Sequence, residues 1–393
     1  MTELLAPAGN LEKLKIAVHY GADAVYVAGG EFGLRSAADN FSAQQLGEAV
    51  KYTHRHGCRI YIALNALLHN HELSKLPEFL EFLEVIQPDA LICADLGVIE
   101  LVKKHTSIPV HLSTQTSVLN SYHAEVWKQH GVKRIVAARE LSIQQVSEIK
   151  GNTGLEVEMF VHGAMCVSYS GYCTISNYTA GRDSNRGGCL QNCRHKYSIS
   201  HGGSETEDAY FLSSKDLNGM EHLTEFLAYG IDSIKIEGRM KSNLYIASTV
   251  RAYSQALSAI SRDQSQSVGF WKEELEKIPH RDYTKASLVG ELDKASIYDE
   301  SEQTASEYCM AGTVLTVDHE KNRFSFLTKQ KLTLGDIIEF MPYEGPVISI
   351  EIKSLIDLSE QERDFVQPDC AVWLPWIKNI SPHNVGRIRT QLH

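Results

Sequence analysis

Half of the eight cysteines lie close together in the middle of this 393-residue chain. Four thiolates are the ligand set of one iron–sulfur cluster or one structural zinc ion, so this segment is the first candidate for chemistry. The other cysteines are scattered singly, and those on apolar segments are expected to be small core residues. The clustered residues are Cys166, Cys173, Cys189 and Cys193.

The spacing of the clustered cysteines distinguishes between the two metals. Six, fifteen and three residues separate successive cysteines, whereas zinc fingers and ribbons use Cys-x2–4-Cys pairs. Iron–sulfur sites show less regular spacing, and flanking glycines let the backbone approach a cluster. An iron–sulfur site is therefore favoured over zinc, and a nucleophilic cysteine activated by His162 or His195 is a further alternative. The glycines are Gly163, Gly171, Gly187 and Gly188.

Bulk composition is that of a soluble globular protein, with 43% hydrophobic and 22% charged residues. The net charge of -11 argues against nucleic-acid binding through overall charge, but leaves room for a local basic patch. The amino terminus lacks a basic segment followed by an apolar run, and no stretch reaches the ~18 apolar residues of a membrane span. We therefore expect a cytoplasmic protein without a membrane partner, in which thiols are reduced and available to metals.

The elements that must position these residues follow an alternating pattern over the first 240 residues. Short β-branched apolar runs alternate with stretches of helical spacing, which predicts repeated βα units and a parallel sheet. Eight such strands predict a TIM-like (β/α)8 barrel, and a doubly wound open sheet is the alternative. The predicted strands begin at residues 3, 24, 59, 90, 109, 134, 157 and 233.

The βα alternation is interrupted once, after the seventh strand. A Gly-, Ser-, Asn- and Cys-rich insertion over 164–210 follows that strand, on the face where barrels carry out chemistry. We expect the barrel to occupy 1–261, a connector 262–310, and a small all-β barrel module of about six strands 311–393. Cations in that module suggest RNA contact, with an ordinary surface of mixed charge as the alternative.

Polar residues end several of the apolar strands, and barrel active sites lie at those strand ends. We expect catalytic residues among His162, Glu237 and Arg239. Substrate binding is expected from Arg35, Lys235 and Arg239, because cationic side chains suit carboxylates and phosphates.

At this point the sequence resembles peptidase family U32. The residues that carry the resemblance run from Glu158 through Phe160, Gly163, Ala164, Met165, Cys166, Gly171 and Cys173 to Ile175 and Ser176. Further similar blocks are LLAPAGN (4–10), RGGCLQNCR (186–194), SSKDL (213–217) and IKIEGRMKS (234–242). The resemblance covers nearly the whole chain and implies a TIM-like fold.

The resemblance also implies a function and a cofactor. Better-understood members resemble oxygen-independent hydroxylases with a [4Fe-4S] cluster, which implies ligands Cys166, Cys173, Cys189 and Cys193. One branch makes 5-hydroxyuridine at the tRNA wobble position with prephenate as hydroxyl source, so RNA and a small-molecule donor are the implied partners. A cysteine that some relatives carry is Asn218 here, which leaves Cys193 to complete the set.

Two other functions stay open at this stage. The first is a collagenase-like peptidase, for which the chain shows no HExxH, GxSxG or paired-Asp motif. The second is a cluster-bearing subunit that depends on a protein partner or on a second copy of the chain for activity.

Overall fold

A computed structural model describes residues 2–34, 39–198, 208–262, 268–290, 292 and 306–390. Arg35, which the sequence predicts to bind substrate, lies outside the described residues.

Eight parallel strands close into a barrel, which confirms the predicted TIM-like fold. β1 pairs with β2 on one side and with the last barrel strand on the other, through Leu5↔Ala24 and Glu3↔Ser233. The last strand also pairs in parallel with β7, through Glu158↔Ser233, and this pairing completes the circle. The strands are β1 (Glu3–Pro7), β2 (Ala24–Val27), β3 (Arg59–Leu64), β4 (Ala90–Cys93), β5 (Val110–Leu112), β6 (Arg134–Val136), β7 (Glu156–Ala164) and β9 (Ser233–Ile236).

Helices follow the strands where the sequence predicts them. The side chains of Asn10, Ser42 and Ser142 accept hydrogen bonds from the backbone amide three residues on and so cap the amino-terminal ends of three of these helices. None of the described helices is both long and apolar enough to cross a membrane. They are α1 (Leu11–His19), α2 (Ala43–Arg55), α3 (Asn70–Leu73), α4 (Leu76–Ile86), α5 (Leu96–His105), α6 (Ser121–Gln129), α7 (Ile143–Thr153), α8 (Ile175–Ala180), α9 (Leu223–Ala228), α10 (Asn243–Ser261) and α11 (Val268–Glu276).

Two short strands extend the sheet beyond the barrel at the cysteine-rich insertion. β8 (Asp216–Asn218) runs antiparallel to the end of β7, with Asn218 opposite His162. β10 (Tyr283–Thr284) then pairs in parallel with β8. The segment that the sequence predicts to be a connector therefore contains a helix, α11, and a strand that returns to the mouth of the barrel.

The carboxyl-terminal module is all-β, as predicted. Seven antiparallel strands form one sheet in the order β15-β14-β19-β11-β12-β18-β16, and two further strands, β13 and β17, pair separately. Among the described residues, the pairings run from β15 at one end of the seven-stranded order to β16 at the other. The strands are β11 (Tyr308–Asp318), β12 (Arg323–Thr328), β13 (Leu332–Thr333), β14 (Ile337–Met341), β15 (Ile348–Glu351), β16 (Ile356–Asp357), β17 (Phe365–Val366), β18 (Ala371–Pro375) and β19 (Val385–Arg389).

Buried polar contacts join this module to the barrel. The Tyr20 hydroxyl donates to the Met341 carbonyl at 2.5 Å and accepts from the Val385 amide at 2.9 Å. The side chain of Arg387 is almost fully buried and contacts Glu274 of α11 at 3.0 Å. Buried groups of the two modules therefore contact each other, and unfolding of one module leaves polar groups of the other without their partners.

Candidate active site

A cavity of about 620 Å³, open to solvent, lies at the carboxyl-terminal ends of the barrel strands. Three cationic side chains and one carboxylate line it, giving a net charge of +2. This lining suits a small dianion. The charged residues are Arg139, Lys235, Glu237 and Arg239, and the neutral polar ones are Tyr26, Asn65, Ser113, Thr114 and Gln115.

Lys235 is held in this cavity by an ion pair inside the barrel. Its ammonium lies 2.8 Å from the fully buried carboxylate of Glu158 and 4.3 Å from the centre of the Tyr26 ring. Arg134 contacts the other oxygen of Glu158 at 3.4 Å and Glu3 at 2.6 Å. In the pairing of β7 with β9, Glu158 lies opposite Ser233 and Lys235 lies opposite Phe160. Glu158 and Lys235 are therefore diagonal neighbours on paired strands, and their ion pair orients the lysine side chain.

Glu237 and Arg239 follow Lys235 where the last barrel strand ends, and both line the cavity. Arg239 is 5% exposed. A Cβ atom on Gly9 would lie 2.3 Å from the Arg239 carbonyl oxygen, so a glycine after β1 allows this close approach. The structure therefore brings together three of the residues predicted from the sequence, Lys235, Glu237 and Arg239.

The four clustered cysteines line a second cavity, of about 890 Å³, which we call the cysteine cavity. It adjoins the barrel cavity, because Leu34, Thr114, Gln115 and Arg139 line both. The Arg139 guanidinium lies 4.2 Å from the centre of the Phe160 ring, where the two cavities adjoin. A group held by the cysteines would therefore lie beside a ligand in the barrel cavity.

Contacts with neighbouring βα loops fix the cysteine-rich segment on the barrel. The Glu140 carboxylate accepts hydrogen bonds from the amide and hydroxyl of Ser170, both at 3.0 Å. Gly171 has φ +80°, and a Cβ atom there would lie 1.9 Å from the Gln115 carbonyl oxygen. Only glycine fits at this point, where the segment passes against the loop after β5.

The thiols differ in their surroundings. A hydrogen bond between Cys166 and Cys173 raises the pKa of Cys166 and lowers the pKa of Cys173 to about 5. Burial raises the pKa of Cys193. All four cysteines are free thiols.

The donor set around the cysteine cavity consists of four thiols, the set that one iron–sulfur cluster takes. Within the described residues no group of three or more His, Cys, Asp or Glu side chains is arranged to hold a single metal ion. Four thiols around one shared cavity suit a cluster whose irons each take a separate thiolate. Asn218, on β8, is not among the residues that line this cavity.

His162 lies away from both cavities. It is 1% exposed, and its ring is 5.5 Å from the rings of both Tyr253 and Tyr283. Burial lowers its pKa to about 3, and the Tyr253 hydroxyl lies 3.3 Å from Nδ1. A catalytic base must reach its substrate, so the structure gives the predicted catalytic role of His162 no geometric support.

Sequence reasoning missed two positions at the site. Tyr169 lines the cysteine cavity and is 57% exposed, although no motif marks it. Lys241 lines a further cavity beside the cysteine cavity, and the signals for it were its place two residues after Arg239 and its membership of the block IKIEGRMKS.

Comparison with known proteins identifies relatives over most of the chain. The tRNA hydroxylation protein P1 of Bacillus subtilis (strain 168) is 39% identical over 399 residues, which cover 98% of this chain and 94% of that protein. The tRNA hydroxylation protein P of Helicobacter pylori (strain J99) is 41% identical over 302 residues, covering 73% and 71%. A 23S rRNA 5-hydroxycytidine synthase of Escherichia coli (strain K12) is 38% identical over 264 residues, covering 67% and 40%.

A family model also matches the barrel and the cysteine-rich insertion. The model describes peptidase family U32 and matches residues 9–297, well over half of the chain. This match and the Bacillus subtilis relative, which spans almost the full length, agree with the residues that carry the resemblance in the sequence. The chain therefore belongs to peptidase family U32.

Proposed function

We propose that the protein is an iron–sulfur-dependent, oxygen-independent hydroxylase of a pyrimidine C5 in RNA. Its substrate would be the wobble uridine of tRNA, converted to 5-hydroxyuridine with prephenate as hydroxyl source. The observation that carries the proposal is the junction of a four-thiol cavity with a barrel cavity of net charge +2. The names of relatives that match most of the chain support RNA as the substrate class.

In this proposal the two cavities have different tasks. Cys166, Cys173, Cys189 and Cys193 would hold a [4Fe-4S] cluster, which supplies redox chemistry or a Lewis-acidic iron when bound. Prephenate carries two carboxylates, and Lys235, Arg239 and Arg139 would bind them in the barrel cavity. Arg139 lines both cavities and would orient the donor toward the cluster.

The target base would enter from the open side of the cysteine cavity. Tyr169 stands there with more than half of its surface exposed, and an exposed aromatic ring can stack on a nucleobase taken out of its own stack. The proposal thus places the base, the cluster and the donor in adjoining spaces.

Mass spectrometry of tRNA nucleosides from a deletion strain tests the proposal. We expect 5-hydroxyuridine and its derivatives to disappear, provided that paralogues are deleted as well. Complementation with the wild-type gene should restore them, whereas the Cys193→Ala gene should not. Unchanged 5-hydroxyuridine in the strain lacking all paralogues would contradict tRNA hydroxylation.

Two further assays separate the alternatives. Peptide release that survives loss of all four clustered cysteines would favour the peptidase. Hydroxylation that appears only after a second protein is added would favour a cluster-bearing partner subunit.

A further inference from the structure

A third cavity, of about 950 Å³, lies beside the cysteine cavity, between the cysteine-rich insertion and the start of α10. It shares Ala164, Gln191 and Arg194 with the cysteine cavity, and Glu237 with the barrel cavity. A ligand here would be a close neighbour of anything bound in the cysteine cavity. The proposed function assigns this space no role.

Two cations and one carboxylate line this cavity, so its net charge is +1. The cations are Arg194 and Lys241, and the carboxylate is Glu237. Lys241 lies 3.9 Å from Asp216, but Asp216 is also paired with Arg281. The single charge of this carboxylate is therefore shared between two cations. The cavity wall consequently carries positive charge that nearby carboxylates only partly balance.

The hydrogen-bonding state of Arg194 also indicates an anion. Its Nε is enclosed yet has no hydrogen-bond partner among the described residues. The guanidinium of an arginine that lines a cavity can bind phosphate or carboxylate through two parallel hydrogen bonds. Burial also lowers the pKa of Lys241, and a bound anion would offset that cost.

We propose that this cavity binds a phosphate of the RNA backbone next to the nucleotide whose base enters the cysteine cavity. This inference rests on the proposed RNA function. A phosphate fits better than a second small carboxylate, because the base and the phosphate of one nucleotide can occupy adjoining spaces that share Arg194. Phosphate contacts position an RNA without reading its sequence, so the cavity would set the register of the target base.

The salt dependence of RNA binding by the full-length, cluster-loaded protein tests the phosphate site. A tRNA anticodon stem-loop is the probe, and the variants are Lys241→Gln, Arg194→Gln and Lys241→Arg. Each lost phosphate contact should reduce the slope of log K against log salt by about 0.7 to 0.9. Lys241→Arg keeps the charge and should retain the wild-type slope.

Lys272→Gln is the matched control, since Lys272 is a surface lysine paired with Glu221. The control should keep the wild-type slope, and Lys241→Gln should keep the wild-type cluster absorbance and affinity for prephenate. A wild-type slope in Lys241→Gln would overturn the phosphate site and leave the RNA function standing. If wild-type protein binds inorganic phosphate in a Lys241-dependent manner but binds no RNA, both the RNA function and this inference fall.

Discussion

Individual charged side chains in the barrel cavity depend on partners that lie deeper in the barrel. Lys235 faces the cavity but is held by Glu158, which in turn contacts Arg134. TIM barrels usually fill this interior with branched apolar residues. The buried ionic chain therefore costs desolvation, and it fixes the position of the lysine side chain in the cavity.

The variant Lys235→Met tests this dependence. Removing the lysine leaves the buried Glu158 carboxylate with one fewer cation beside it, which should cost about 3 to 5 kcal/mol of unfolding free energy. The double variant Lys235→Met/Glu158→Gln should recover part of that stability but not the binding of prephenate. Urea denaturation and isothermal titration measure the two effects. Recovery of prephenate binding in the double variant would contradict a direct role for Lys235.

The resemblance to the family implies that Cys193 is the fourth cluster ligand, because Asn218 stands where some relatives carry a cysteine. Cys193→Ala should lower the iron content and the visible absorbance after anaerobic reconstitution. Cys370→Ala is the control, since Cys370 is exposed in the carboxyl-terminal module and should leave both unchanged. Full iron content and absorbance in Cys193→Ala would show that another group completes the ligand set.

Among the elements, the cysteine-rich insertion depends on the barrel loops for its position. Its described residues carry one short helix, α8, and two 3-10 turns, so side-chain and backbone contacts with the loops after β5 and β6 hold it in place. Short elements of this kind have little stability of their own. The geometry of the four thiols is consequently a property of the contact between insertion and barrel.

Gly171→Ala tests that contact. The new methyl group would collide with the Gln115 carbonyl at a positive φ, so the insertion should shift and cluster uptake should fall. The barrel should remain folded by circular dichroism, because the change is local to the insertion. Gly181→Ala is the matched control, since Gly181 also has a positive φ but its Cβ would meet nothing within 4 Å. Equal cluster uptake in the two variants would contradict the importance of the close approach.

At the scale of the whole molecule, the two modules differ as candidates for RNA contact. The carboxyl-terminal cations that the sequence marks as candidates for RNA contact are mostly engaged with carboxylates. Arg323 pairs with Glu360 at 2.8 Å, Lys329 with Asp369 at 2.6 Å, and Arg387 with Glu274 at 3.0 Å. The barrel face, with its three adjoining cavities, is therefore the better candidate for RNA contact.

The carboxyl-terminal module nevertheless stabilises the barrel, and the variant Tyr20→Phe tests this contribution to the free energy of unfolding. Loss of the hydroxyl leaves the buried Val385 amide without its acceptor and the Met341 carbonyl with the Asn384 amide as its donor, which should cost about 1 to 3 kcal/mol of unfolding free energy. Tyr122→Phe is the control, because Tyr122 is 90% exposed. Chemical denaturation at neutral pH measures both. A cost for Tyr20→Phe no larger than that for Tyr122→Phe would show that the two modules are energetically independent.

The sequence by itself determined the features that arise from local patterns. The eight barrel strands and the four clustered cysteines follow from periodicity and residue type, which depend on neighbours in the chain. Lys235, Glu237 and Arg239 could also be predicted, because the end of a barrel strand has a known direction.

Only the tertiary structure decided what these residues contact. His162 is at a strand end, yet it packs among tyrosines brought in by α10 and β10, so its burial could not be predicted from β7 alone. Arg194 and Lys241 are 47 positions apart in the sequence and share one cavity only because the insertion folds back over the start of α10. Contacts of this kind depend on how distant segments pack, and a pattern within one segment carries no information about them.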